Sequence, residues 1–163
     1  MEYDGLINDY LAGPQALRQA VAGMTPLEIG RARPIRGKWS AREVVCHIAD
    51  YEPIYADRMK RVIAENEPAI SGGNPDALAA RLAYGSRDVE EELALIELVR
   101  KQMGRILRGI QPEDFQRRGI HDKRGPTTLA DLVERVAGHI PHHVRSIECR
   151  GLRSPRDIGE AGP

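Results

Sequence analysis

Two histidines four residues apart, His139 and His143, stand near the end of the chain, and a third, His47, stands far upstream. On a helix, a spacing of four sets two rings one above the other on the same side. Such a pair is a bidentate clamp for a metal ion. A third imidazole from a facing helix would complete a three-nitrogen site with one position open to water, the arrangement of catalytic metal centres. The plainer alternative is that each histidine is a hydrogen-bonded, half-buried residue, since histidines at this spacing also occur by chance. Pro141 lies between the pair, removes a backbone donor and crowds the carbonyl of Ala137, so a bend is expected there, beside Gly138, that aims His139 toward the site. His142 points elsewhere. Carboxylate-bridged di-iron chemistry is disfavoured, because those bundles carry Glu-x-x-His motifs on two helices and this sequence has none.

The elements that must position these residues read almost entirely as helix. A last helix, capped at Thr127-Thr128 and running to about Arg150, has Leu129, Val133, Val136, Ile140 and Ile147 on one face, with His143 inside that face and His139 at its edge. A second long helix opens with the capping box Ser40-Ala41-Arg42-Glu43 and runs to about Asn66, where Glu67-Pro68 and Ser71-Gly72-Gly73 stop it. Its face is Val44, Ile48, Tyr51, Tyr55, Met59 and Val62, with His47 at the margin. An N-terminal helix is carried by Tyr3, Leu6, Ile7, Tyr10, Leu17 and Val21, and Gly13-Pro14 predicts a kink or restart within it. Thr25-Pro26-Leu27-Glu28 signals one short helical turn. A third long region runs from Asn74-Pro75-Asp76 to Gly109, bending near Gly85-Ser86, with a stripe of Leu78, Leu82, Val89, Ile96, Met103 and Leu107. The stretch from Gln111 to Pro126 reads as a surface connection, and β signals are nearly absent. Four long amphipathic helices that each bury one stripe make an all-α four-helix bundle over residues 1–150, followed by a flexible polar tail over 151–163.

Composition narrows the function. The chain has 163 residues, and its 24 Lys+Arg balance 24 Asp+Glu at a pI near 7.0. A single domain of this size folds without structural metal or disulfides, so a bound metal would be functional. Zero net charge removes the basic footprint of a nucleic-acid binder. No apolar run is long enough to span a membrane and no secretory leader is visible, so a cytoplasmic protein is expected. Cys46 and Cys149 form no C-x-x-C pair and, by helical count, lie about 160° from the apolar faces of their helices. Both are therefore rejected as ligands and expected to be surface thiols or subunit contacts.

The segments Gly37-Lys38-Trp39-Ser40, Glu43-Val44-Val45-Cys46-His47-Ile48-Ala49-Asp50 and Thr128-Leu129 leading into His139-Ile140-Pro141-His142-His143 resemble the DinB-like (DNA-damage-inducible) superfamily over residues 3–150. The resemblance implies a four-helix bundle with a long crossover connection and a divalent metal, zinc or nickel, held by His47, His139 and His143. It further implies a small-molecule substrate or thiol cofactor such as bacillithiol or mycothiol, a hydrolase or a thiol S-transferase or isomerase, and a homodimer. The competing expectations are a non-catalytic metal-binding stress-response protein and a bundle with no metal.

Further candidates are weaker. Glu43 and Asp50 flank His47 and could orient its ring, although Glu43 has a capping role to fill. Glu92 is a candidate base near the inner face of its helix, within an acidic run that otherwise reads as a solvated face. His121 is a candidate proton shuttle from a loop over the site mouth. Trp39 reads as a packing anchor ahead of the Ser40 cap.

Overall fold

The computed structural model describes residues 2–31 and 39–148. Helices α1 (Asp4–Val21), α3 (Ala41–Ala64), α5 (Val89–Gly109) and α6 (Leu129–Glu148) form a four-helix bundle, with short α2 (Pro26–Arg31) and α4 (Pro75–Arg81) in the connections. Each of α1 and α3 packs against both α5 and α6. Consecutive helices α1 and α3 are therefore diagonal, as are α5 and α6, and the connections between them cross the bundle.

The predicted caps form. Ser40 accepts from the Glu43 amide while Glu43 accepts from the Ser40 amide, at 3.2 and 2.6 Å. Thr128 and Asp131 exchange the same pair of bonds at the start of α6. The apolar faces read for α3 and α6 are all buried. The third stripe is interrupted: α4 ends at Arg81, Ala83 takes a left-handed turn at φ 52°, and Leu82 is left 44% exposed. The tail over 151–163 lies outside the described residues.

Two expectations are corrected. First, α1 does not break at Gly13-Pro14. Pro14 has no N–H for the carbonyl of Tyr10, and the side chain of Arg100 from α5 supplies the missing donor at 2.5 Å. Gly13 gives it room, because a Cβ there would collide with the guanidinium. Second, the Gln111–Pro126 stretch is not a plain connection. After a helical turn at Pro112–Gln116 it forms β2 (Arg118–His121), which pairs antiparallel with β3 (Gly125–Thr128) and parallel with β1 (Ala69–Ile70). Gly125 at φ 72° closes the three-residue hairpin loop, and Pro126 is tolerated because β3 is an edge strand. This small sheet ties the end of α3 to the start of α6, the two helices that carry the histidines.

Candidate metal centre

His47 projects from the middle of α3, and His139 and His143 project from successive turns of α6, which packs against it. Their Nε2 atoms converge. His139 Nε2 lies 3.1 Å from His47 Nε2 and 3.2 Å from His143 Nε2, and one ligand atom from each ring falls within 4.8 Å of the others. His47 is buried between Trp39 and Tyr51, whose rings stand 4.7 and 4.6 Å away. Tyr51 and Tyr55 flank His139 at 6.0 and 6.2 Å. The rings of His139 and His143 are partly exposed, so the cluster opens toward solvent on the α6 side.

The donor set tests whether a cation fits. A neutral imidazole carries hydrogen on one nitrogen only. His139 Nε2 faces two other Nε2 atoms and has a single donor or a single lone pair to offer them. That one hydrogen or one lone pair must be divided between the two short contacts, so neither is fully served. A cation between the rings removes the conflict, because all three can then turn lone pairs inward. Nitrogens 3.1–3.2 Å apart are close enough for the three histidines to share one ion.

Burial holds the imidazoles in the neutral form that binding needs. It pushes His47 down to about 4, against the opposing pull of Asp50 and Asp76. It pushes His139 down to about 3, helped by His143, His47 and Arg100. With Nε2 turned inward, Nδ1 carries the hydrogen. The Nδ1 atoms of His47 and His139 are buried and have no hydrogen-bond partner among the described residues. The aromatic rings around them, rather than the carboxylate that commonly braces a metal-bound histidine, fix their orientation.

The other candidates are placed elsewhere. Asp50 accepts from the Tyr84 hydroxyl at 2.8 Å and from Arg87 at 2.9 Å, and so acts on His47 only through space. Both oxygens of Glu92 are taken by Arg87, at 2.8 and 2.5 Å, which leaves no free carboxylate to act as a base. Glu43 fills its capping role. His121 is buried at the end of β2 rather than in a loop, and its Nδ1 accepts from the Lys123 amide and sits 2.8 Å from Asp122. His142 is exposed on the outer side of α6. Trp39 is more than a helix-start anchor, since it packs on both His47 and Tyr84. Cys46 is not a surface thiol: it is fully buried under the turn at Tyr84–Ser86, 3.6 Å from the Tyr84 carbonyl, and burial pushes its thiol up to about 11. Cys149 lies outside the described residues.

Tyr51 and Tyr55 were legible only as core positions. Their neighbourhood with the site could have been found from their places four and eight residues beyond His47.

Diagonal consecutive helices and three imidazoles meeting between α3 and α6 define a class: helical bundles with a three-histidine pocket. The chain belongs to the DinB superfamily, whose family model matches residues 10–147. It is 29% identical over 136 residues to YfiT of Bacillus subtilis (strain 168), covering 82% of this chain and 75% of that one. It is 30% identical over 111 residues to OB0782 of Oceanobacillus iheyensis, covering 68% of this chain and 64% of that one, so the match spans less than two thirds of that relative. Both relatives are described as candidate metal-dependent hydrolases. The solved structure of YfiT, a four-helix bundle of unusual topology, superposes with a TM-score of 0.85 at 27% identity, over 97% of this chain and 88% of that one. The mycothiol-dependent maleylpyruvate isomerase shares the fold at a TM-score of 0.70 and 11% identity, over 88% of this chain and 60% of that one.

Proposed function

We propose that His47, His139 and His143 hold one divalent cation and that the chain is a metal-dependent enzyme acting on a small molecule. The observation that carries this reading is the convergence of three Nε2 atoms at 3.1 and 3.2 Å, an arrangement in which neutral imidazoles must divide one hydrogen or one lone pair between two contacts. When bound, the ion supplies a Lewis acid that lowers the pKa of a water or thiol in its open position. The chain's own residues keep the imidazoles neutral by burial, orient them by packing against Trp39, Tyr51 and Tyr55, and limit solvent to the side where His139 and His143 are partly exposed.

Hydrolysis is the reading that the candidate hydrolases among the relatives support. Transfer or isomerisation with a low-molecular-weight thiol is favoured by a separate observation. Glu92 and Asp50 are both held by Arg87, so neither is free to shuttle protons from water, whereas an ionised thiol is a nucleophile already. Zinc or nickel as the ion and a homodimeric assembly belong to the same proposal and rest on the family resemblance, and a cytoplasmic setting is in keeping with two cysteines that form no C-x-x-C pair.

The test is elemental analysis of tag-free protein, combined with the fluorescence of Trp39, the single tryptophan, which lies 4.7 Å from the His47 ring. One zinc or nickel per chain is expected, as is quenching of Trp39 when Ni²⁺ is added to the metal-free protein. Both are lost in His143→Ala with helical circular dichroism unchanged. Stoichiometric metal retained by that variant refutes the site.

A further inference from the structure

The α3 stripe that carries His47 continues through Tyr51 and Tyr55 to Arg58, and all four residues lie within an arc of about 80° on the helix. Arg58 is only 5% exposed, yet no carboxylate among the described residues pairs with it. Its Nη2 donates to the backbone carbonyl of Ser71, its Cζ stands 5.0 Å from the centre of the Tyr55 ring, and its buried Nε has no partner. Burying a cation without a counter-charge is costly, and the other deeply buried arginine of this fold, Arg100, has its acid in Glu52.

One ring separates Arg58 from the histidine cluster: the Tyr55 ring that it covers is 6.2 Å from the His139 ring. Ser71–Gly73 runs over the same stripe. A Cβ at Gly73 would meet the Tyr51 hydroxyl at 3.0 Å, so glycine lets this strap come close without a side chain filling the space beneath it. Long side chains on a helix lean toward its N-terminus, which brings the Arg58 guanidinium back along the stripe toward Tyr55 and the histidines.

We propose that Arg58 is an anion-recognising group at the far end of the α3 stripe from His47, taking the carboxylate of a small molecule whose reactive group lies at the three histidines. This assignment rests on the metal reading above and deepens it, since it makes the substrate or thiol cofactor a carboxylic acid. A lone guanidinium with its Nε unengaged matches a singly charged, planar acceptor. Tyr51 and Tyr55 lie between the two ends of that stripe.

The experiment uses the full-length protein loaded with Co²⁺, whose visible spectrum changes when a thiol binds the ion. A series of ω-mercaptocarboxylates from mercaptoacetate to 8-mercaptooctanoate is titrated beside the matching ω-mercaptoalcohols. In the wild type, the carboxylate is expected to bind at least about tenfold tighter than its alcohol at an intermediate chain length, and no tighter at the shortest, because only a molecule of the right span reaches both ends. In Arg58→Met the advantage disappears while alcohol binding is unchanged, and Arg58→Lys recovers part of it. Equal affinities for carboxylates and alcohols at every length in the wild type overturn the proposal without using a variant, and so does an advantage that survives in Arg58→Met. Failure to take up cobalt is a different result that overturns the metal reading, whereas bound cobalt with a spectrum untouched by every thiol leaves that reading standing and overturns the assignment of Arg58.

Discussion

Replacing Arg100 with methionine should loosen all four bundle helices at once. The guanidinium is 1% exposed and bonds to Glu52 of α3 at 2.6 and 3.0 Å, to the Tyr10 carbonyl of α1 at 2.5 Å and to the Val136 carbonyl of α6 at 2.7 Å, while its own backbone belongs to α5. Methionine fills much of the volume but leaves the Glu52 carboxylate buried without its cation and the Tyr10 carbonyl without a donor, since Pro14 cannot provide one. Removing one member of a buried pair costs about 3–5 kcal/mol. For a chain of this length that is a fall in Tm of roughly 6–20 °C. The double variant Arg100→Met/Glu52→Leu removes the stranded charge as well, leaving chiefly the orphaned carbonyl at about 1–3 kcal/mol, so it should be more stable than the single variant. Burial already pushes the Glu52 carboxyl up, with Arg100 opposing that rise. Without Arg100 the folded state holds the Glu52 proton above the pH at which the unfolded chain releases it, so the stability deficit shrinks on going from pH 8 to pH 5. Thermal and urea unfolding followed by circular dichroism at both pH values check each step. A single variant that melts within about 2 °C of wild type, or a double variant no more stable than the single, refutes the reasoning.

Three more outcomes follow from the same packing. Burial holds His47 near 4 and His139 near 3, so below the ordinary histidine pKa of about 6.5 the unfolded chain takes up protons that the folded one refuses. Stability of the metal-free protein should therefore fall as the pH drops from about 6.5 toward 4 and be insensitive to these two groups above neutrality; a urea midpoint that rises on acidification over this window would contradict it. Gly119→Ala places a Cβ 2.9 Å from the Pro68 carbonyl, the group that accepts from the Ile120 amide at the β1–β2 junction, and should cost about 1–3 kcal/mol in urea unfolding. In a Cys149→Ser background, the buried thiol of Cys46, raised to about 11, should react with a thiol-disulfide reagent only as fast as the protein opens; prompt labelling of the native protein would show that it is not covered.

What the sequence made legible is what one helix can encode on its own surface. The capping boxes at Ser40 and Thr128, the apolar faces of α3 and α6, and the stacking of His139 and His143 are relations within a turn or two, and the convergence of His47 on them follows once two such faces must meet. Relations between elements were not legible. Cys46 is far from the α3 stripe and still buried, because the Tyr84–Ser86 turn covers the side of the helix that a wheel assigns to solvent. The continuity of α1 through Pro14 depends on a side chain 90 positions beyond Tyr10, whose carbonyl it satisfies. The sheet hides because β1 is two residues long and its partner strand lies some fifty residues downstream. Counting only apolar residues also passes over the most informative positions on α3, the polar residues it buries. Of these, Glu52 is neutralised by Arg100, which accounts for it as architecture. Among the described residues, Arg58 has no acid and His47 has no acceptor for its Nδ1. Desolvating such groups without partners is unfavourable, and in this bundle both sit on the one stripe that faces the open cluster. Buried polar atoms without a partner among the described residues also occur at Tyr10, Arg42 and Glu52, so it is the place of His47 and Arg58 on the histidine stripe, together with their unmet valence, that points to where a ligand completes the fold.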